Sequence, residues 1–173
     1  ALVVVGDAVN ASLVMPDGIQ TVPSETFYRD ALVANPSTLV APGAPDDVAI
    51  QIFTSGTTGK PKAAVLRHGN VMSYILGTVE FASAAVEDSI LISVPPYHIA
   101  GISAVLSSTY AGRRMVQLPN FDPQAWLQLC REERVTNAFV VPTMLSRIVD
   151  QLGAHAAGTG PSSLRAIAYG GGK

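Results

Sequence analysis

The segment that decides the fold is an apolar run followed by a loop rich in glycine and threonine, VAIQIF (residues 48–53) and TSGTTGKPK (residues 54–62). A short apolar, β-branched run of this kind predicts a strand. Pro61 disfavours helical geometry in the residue before it, so a helix starting in the loop is disfavoured. We therefore predict a second strand over residues 62–66, which makes the loop the tip of a hairpin-like flap.

The loop carries the residue types that bind phosphate. Its two glycines allow the backbone to turn sharply and to approach a ligand closely, and the freed N–H groups can point at phosphate oxygens. It is not a Walker A loop, because threonine and proline stand where that motif needs glycine and a hydroxyl residue. The alternative is an ordinary hairpin turn, which rarely needs nine residues of this kind. We predict that a triphosphate is bound by Thr54, Ser55, Gly56, Thr57, Thr58, Gly59, Lys60 and Lys62.

Strand-like and helix-like segments alternate on both sides of this loop. Besides the flap, the apolar pattern predicts strands over residues 2–5, 90–94, 114–118, 138–141 and 164–168. It predicts helices over residues 25–33 with Ser24 as the cap, 70–82, 99–110, 123 to about 134 behind the Asp122-Pro123 start, and 143–152. Such alternation indicates an α/β fold, a layered and largely parallel sheet with helices on both faces.

Composition and charge exclude several classes of partner. The chain has 173 residues and a net charge of −2, with no basic stripe for a nucleic acid. No run reaches the ~18 apolar residues of an integral membrane segment. Charged residues make up only 14% of the chain, which indicates either surface covered by more protein or simply an alanine-rich composition. Because both ends look abrupt, we expect residues 1–173 to be a single fragment, an incomplete portion of a larger N-terminal domain whose partner is the missing remainder of its own chain.

The single cysteine, Cys130, excludes an intrachain disulfide. This suits a reducing compartment, and we expect a cytoplasmic protein. Cys130 lies in the apolar pattern of residues 126–130, which favours a buried small hydrophobe over a nucleophile.

The loop and the motifs after it resemble the adenylate-forming superfamily of AMP-binding enzymes. The matching segments are FTSGTTGKPK (residues 53–62), PPYHIAG (residues 95–101), FVVPTML (residues 139–145) and LRAIAYGGG (residues 164–172). Ala63 stands where that family usually has glycine. The resemblance is to acyl-CoA synthetases in particular, and it implies an acyl pocket that includes Tyr97, His98, Gly101, Gly170, Gly171 and Gly172.

The resemblance implies a two-step reaction with ATP, Mg²⁺ and coenzyme A. A carboxylic acid would form an acyl-adenylate and then a thioester, with Lys62 as the preferred charge partner of the phosphates and Lys60 as the alternative. The magnesium glutamate and the adenylation lysine are expected beyond Lys173. No catalytic residue and no metal ligand is therefore assigned within these residues, and the fragment alone is expected to be inactive.

The region after His98 indicates which acid is activated. Members of that family that activate amino acids usually carry an aspartate near the position of His98, which binds the ammonium group of the substrate. No aspartate occurs between Ser93 and Tyr110, so an amino acid is disfavoured because its ammonium group would lack a counter-charge. The small and apolar residues 99–106 suit a fatty or aryl acid. Three alternatives stay open: His98 packed without a function, an adenylation domain that loads a carrier protein, and a non-catalytic nucleotide-binding module.

Overall fold

The computed structural model describes residues 2–5, 17–36, 42–54, 62–95, 97–153 and 160–170. The chain divides into two compact units, Ala1–Pro42 and Gly43–Lys173.

The first unit contains two parallel strands and a helix. Strand β1 (Leu2–Val5) pairs with β2 (Gln20–Pro23), and helix α1 (Ser24–Val33) follows. Strand β1 and the helix confirm the prediction, whereas β2 was not predicted. The capping role of Ser24 was wrong: the helix begins at Ser24 itself, its N-cap is Pro23, and no side chain caps it. Proline has no side-chain acceptor for an N-terminal N–H group.

The second unit begins with the predicted hairpin. Strand β3 (Val48–Thr54) and β4 (Lys62–Arg67) are antiparallel, and their register runs from Val48 opposite Arg67 to Thr54 opposite Lys62. Pairing of Thr54 with Lys62 places both ends of the Gly/Thr loop side by side at one end of the hairpin. The prediction of a strand on each side of the loop is confirmed.

A four-stranded parallel sheet forms the rest of the second unit. Its order is β6-β5-β7-β8, with β5 at Ser89–Ile92, β6 at Arg114–Gln117, β7 at Asn137–Val140 and β8 at Ala166–Tyr169. Four helices accompany it: α2 (His68–Thr78), α3 (Ile99–Ala111), α4 (Pro123–Glu132) and α5 (Pro142–Gly153). Each pair of consecutive strands in this sheet is joined through a helix, as parallel pairing requires.

The core lies on both faces of this sheet, which confirms the layered α/β prediction. Leu91 is fully buried in one cluster with Trp126 of α4 and Ile148 of α5. Its neighbour Ile90 points to the opposite face and packs in a second cluster with Ala104 of α3. Successive side chains of a strand alternate between faces, so α3 covers one face while α4 and α5 cover the other.

Local sequence signals fix most helix boundaries. Asp122 caps α4 as predicted, because its Oδ1 accepts a hydrogen bond of 2.8 Å from the N–H of Ala125. Helix α2 starts two residues before the predicted position, and the Oδ1 of Asn70 accepts a bond from the N–H of Arg67 within a capping box. Gly112, with a left-handed φ of 72°, ends α3.

Within the described ranges, no helix is both long enough and apolar enough to cross a membrane.

Candidate functional site

The sheet order creates a crevice at the carboxyl ends of β5 and β7. From β5 the chain passes to β6 on one side, and it then returns to form β7 on the other side of β5. Open α/β sheets bind ligands at such a reversal of strand order. A cavity of about 320 Å³ lies at this place, lined by Val94, Pro95, Tyr97 and His98 after β5 and by Val141, Pro142, Thr143 and Met144 after β7.

His98 is held in this crevice by its own helix. It is the N-cap of α3, and its Nδ1 accepts a hydrogen bond of 3.2 Å from the N–H of Ala100. Its backbone N–H donates to the carbonyl oxygen of Pro95 at 3.0 Å. Because Nδ1 acts as an acceptor, the neutral ring carries its proton on Nε2. His98 therefore presents an N–H donor on its exposed edge.

Gly101 brings the first turn of α3 against the end of β5. A Cβ atom at this position would lie 2.5 Å from the carbonyl oxygen of Pro95 and 2.8 Å from that of Val94. Only a residue without a side chain fits so close to a backbone. Gly101 is buried and sets the position of His98, and its assignment to the acyl pocket stays a prediction.

Tyr97 and His98 also line a second cavity, of about 540 Å³, that faces the hairpin. Its other walls are Ile52, Phe53, Ala64, Leu66 and Ile99. Ile52 and Phe53 belong to strand β3, which ends at Thr54, where the Gly/Thr loop begins. The structure thus brings the predicted acyl-pocket residues Tyr97 and His98 beside the strands that carry the predicted phosphate loop.

Several predicted site residues fall outside the described ranges. These are Ser55, Gly56, Thr57, Thr58, Gly59 and Lys60 of the loop, and Gly171 and Gly172 at the other end of the chain. Of their described neighbours, Lys62 is exposed at the start of β4. Gly170 follows β8, donates its N–H to the carbonyl oxygen of Val140 at 3.4 Å, and lies near the ring of Phe139.

Cys130 takes no part in this crevice. Its side chain is fully buried beside Trp126, as the sequence predicted. Burial raises the pKa of the thiol from 9.0 to about 12, and the neighbouring charge of Arg131 opposes this only in part. A thiol with this pKa is protonated at neutral pH and is a poor nucleophile.

One part of the crevice was missed by sequence reasoning. Thr143 and Met144 line the cavity from the first turn of α5, whereas the sequence predicted a helix over residues 143–152 and gave these two side chains no role. Their position at the carboxyl ends of parallel strands was the available signal.

The sequence model of the AMP-binding enzyme family matches residues 6–173. This chain belongs to that family. It is 36% identical, over 121 residues, to the 2-succinylbenzoate–CoA ligase of Bacillus cytotoxicus, an alignment that covers 70% of this chain and 24% of the relative. The chain thus spans about a quarter of the length of the curated relatives it matches.

Solved structures of the family show the same architecture. The O-succinylbenzoate coenzyme A synthetase of Bacillus subtilis, in complex with AMP, superposes with a TM-score of 0.75 at 26% identity, over 99% of this chain and 42% of that protein. The N-terminal domain of FACL13 from Mycobacterium tuberculosis gives a TM-score of 0.78 at 25% identity, over 98% of this chain and 44% of that one. The Bacillus subtilis enzyme has also been solved in complex with ATP and magnesium ion.

Proposed function

We propose that this chain is part of an enzyme that activates a carboxylic acid with ATP and transfers the acyl group to coenzyme A. The observation that carries the proposal is the position of His98. It caps α3 at the reversal of strand order and lines both the crevice between β5 and β7 and the cavity along the hairpin. An acid held at His98 can therefore lie next to a nucleotide held by the hairpin loop.

The first step joins the acid to AMP. A carboxylate oxygen attacks the α-phosphorus of ATP, the bond to the bridging oxygen breaks, and its electron pair leaves with pyrophosphate. The role of the protein is to position the groups and to stabilise the charge of the leaving pyrophosphate. We assign the β- and γ-phosphates to the backbone and hydroxyl donors of residues 54–59, with Lys62 as the charge partner and Lys60 as the alternative.

His98 orients the acid in this proposal. Its Nδ1 is engaged by the N–H of Ala100, so the Nε2–H is the donor left for one carboxylate oxygen. Holding one oxygen directs the other toward the α-phosphate. The neutral tautomer is suited to this role because it donates a hydrogen bond without neutralising the nucleophile.

The acid is fatty or aryl. A cavity of about 240 Å³ between the hairpin, α2 and α3 is lined mainly by apolar side chains, among them Ile50, Leu66, Val71, Ile102 and Leu106. Such walls suit a hydrocarbon chain or an aromatic ring. The relatives named 2-succinylbenzoate–CoA ligases support the aryl acid and the coenzyme A acceptor.

The second step transfers the acyl group. The thiolate of coenzyme A attacks the carbonyl carbon of the adenylate, the C–O bond to AMP breaks, and AMP leaves with the electron pair. Magnesium, when bound with ATP, neutralises phosphate charge. We place its principal ligand beyond Lys173, as the resemblance to the AMP-binding family implies.

Residues 1–173 are, in this proposal, one part of the adenylation domain, with its C-terminal part and a lid domain elsewhere in the parent protein. Large apolar side chains on the surface support further protein contacts: Phe53, Phe81 and Val86 are each at least 70% exposed.

Product analysis on the full-length parent tests this function. The parent is incubated with ATP, Mg²⁺, coenzyme A and a panel of fatty, aryl and amino acids. We expect AMP and an acyl-CoA thioester, identified by mass spectrometry, with fatty or aryl acids only. If AMP forms only when a carrier protein is added, the acyl acceptor is that carrier protein and not coenzyme A. ATP binding without acid-dependent AMP would contradict the enzymatic function.

A further inference from the structure

The inner face of the hairpin formed by β3 and β4 is one continuous apolar wall. In the register of the two strands, Ile52 lies opposite Ala64. Two residues further from the Gly/Thr loop, Ile50 lies opposite Leu66. Residues two apart on a strand share a face of the sheet, so these four side chains lie together. Val65 belongs to the other face of β4 and is exposed.

Helix α3 supplies the facing wall. Ile99, Ile102 and Leu106 are spaced by three and four residues, which places them on one side of the helix. Ile99 lines both cavities that border the hairpin, and the other two line the smaller one. At a rise of about 1.5 Å per residue, the stripe from Ile99 to Leu106 extends about 10 Å along α3. The hairpin and α3 therefore border an elongated apolar space.

The two cavities in this space adjoin at one pair of side chains. Leu66 of β4 and Ile99 of α3 line the cavity of about 540 Å³ at His98 and also the cavity of about 240 Å³ at α2. Val71 and Tyr74 of α2 border only the second of these. A hydrocarbon tail that starts at His98 therefore reaches the second cavity by passing between Leu66 and Ile99.

The order of residues along the hairpin agrees with the order of groups in the reacting molecules. Thr54 and Lys62 pair at the loop end, where the phosphates are assigned. The cavity that His98 lines begins at the next inward pair, which contains Ile52. Leu66 belongs to the pair after that, about 7 Å further along the strands. A carboxylate beside the phosphates thus leaves its tail pointing toward Leu66.

We propose that the acyl tail lies between the hairpin and α3, and that Leu66 determines how long a tail the enzyme accepts. Each methylene group that leaves water for such apolar walls raises kcat/KM by about fourfold, until the space is full. This inference rests on the proposed function and identifies the residue that sets the length of its acid.

Side-chain size on the inner face of β4 singles out Leu66. Ala64 contributes one methyl group, which leaves the cavity at His98 wide. Leu66 is the next residue on the same face, and it is the first long side chain that the tail meets there. Ile99, on the opposite wall, directly follows the residue that caps α3, so its substitution would also disturb the position of His98.

The test is acid-dependent ATP–pyrophosphate exchange by the full-length parent with straight-chain acids from butanoic to hexadecanoic acid. We expect wild-type kcat/KM to rise with chain length to an optimum and then to fall. Leu66→Ala should move the optimum to longer acids. Leu66→Phe should move it to shorter acids and lower kcat/KM for the best wild-type acid by roughly 10- to 100-fold, the usual effect of a misfit of this size. Butanoic acid should stay within about twofold in both variants, because its tail makes too few apolar contacts to depend on Leu66.

Val65→Ala is the matched control, since it shortens an exposed side chain on the outer face of the same strand. It should leave the chain-length profile unchanged. Leu66→Phe keeps a large apolar side chain, so it stays informative if thermal unfolding shows that Leu66→Ala has lost its fold.

Exchange by both Leu66 variants with the wild-type optimum would overturn the inference, and so would an equal loss at every chain length. Exchange by the wild type with aryl acids only would also refute it and leave the proposed function standing. No exchange with any acid would refute the proposed function itself.

Discussion

The Cβ position of Gly101 lies 2.5 Å from the carbonyl oxygen of Pro95. This contact presses the first turn of α3 onto the segment that follows β5. Since His98 caps the same turn, the contact also fixes where the imidazole stands relative to the crevice. The close packing thus explains why a glycine stands in the first turn of this apolar helix, and the same packing positions His98 at the proposed site.

Gly101→Ala is therefore expected to destabilise the protein. The clash is with backbone atoms, which cannot move aside without shifting the strand end, and overpacking of this kind costs about 1–3 kcal/mol of unfolding free energy. Urea denaturation of the full-length parent measures this. Gly77→Ala in α2 is the matched control, because a Cβ there meets nothing within 4 Å. It should stabilise by about 0.5–1 kcal/mol. Equal stability of the two variants would contradict the packing described for Gly101.

His98→Asn separates the two roles of the histidine. Asparagine keeps an N-cap acceptor for α3, so the melting temperature should change little. It loses the imidazole donor that orients the acid, so kcat/KM for acid-dependent exchange should fall by roughly 10- to 100-fold. His68→Asn, at the exposed start of α2, is the control and should be neutral. Unchanged exchange in His98→Asn would show that His98 packs at the strand end without acting on the acid.

Lys62→Ala tests the charge partner of the phosphates. We expect kcat for exchange to fall by about 10²- to 10³-fold, the usual effect of removing a group that stabilises developing charge, while the KM for the acid changes little. Arg29→Ala, which removes an exposed cation of α1, serves as the control. A loss in Arg29→Ala as large as that in Lys62→Ala would remove Lys62 from the proposed mechanism.

Cys130 predicts a pH dependence of stability. Its pKa is raised in the folded state, so the folded protein holds the proton more tightly than the unfolded chain does. The resulting stability is fully present below pH 9.0 and is lost as the pH rises from there toward about 12. Over this interval the unfolding free energy of the wild type should fall more steeply than that of Cys130→Ala, as followed by urea midpoints. Parallel pH profiles would mean that the thiol is not desolvated.

Local patterns predicted the elements whose signals lie within a few residues. The Asp122-Pro123 start of α4, the strands that flank the Gly/Thr loop and the buried Cys130 all appear as expected. Strand β2 was missed because a four-residue strand that contains glutamine and threonine and ends in proline has no apolar periodicity. Its pairing with β1, which is distant in sequence, decides its structure.

Helix α2 shows a second limit of local reasoning. Its apolar spacing extends toward Ala82, yet the helix ends at Thr78, and Ala82 adopts a left-handed φ of 50°. The N–H of Ala82 bonds to the carbonyl oxygen of Tyr110, a residue of α3. A long-range contact therefore ends the helix where the sequence pattern would continue it.

The candidate site was predictable only in part. The motif around His98 placed that residue after a strand, and the resemblance to AMP-binding enzymes gave it a role. The crevice itself depends on the order β6-β5-β7-β8, which sets β7 beside β5. No local pattern of the sequence reports this order.

Carboxylate-dependent exchange of pyrophosphate into ATP, measured on the full-length parent without coenzyme A, tests the central claim most directly. The reaction requires a reversible acyl-adenylate and does not depend on the thiol acceptor. We predict exchange that appears only when a fatty or aryl acid is added and that falls sharply in Lys62→Ala. ATP binding with no exchange for any acid would contradict the account and would leave the chain as a nucleotide-binding module without this chemistry.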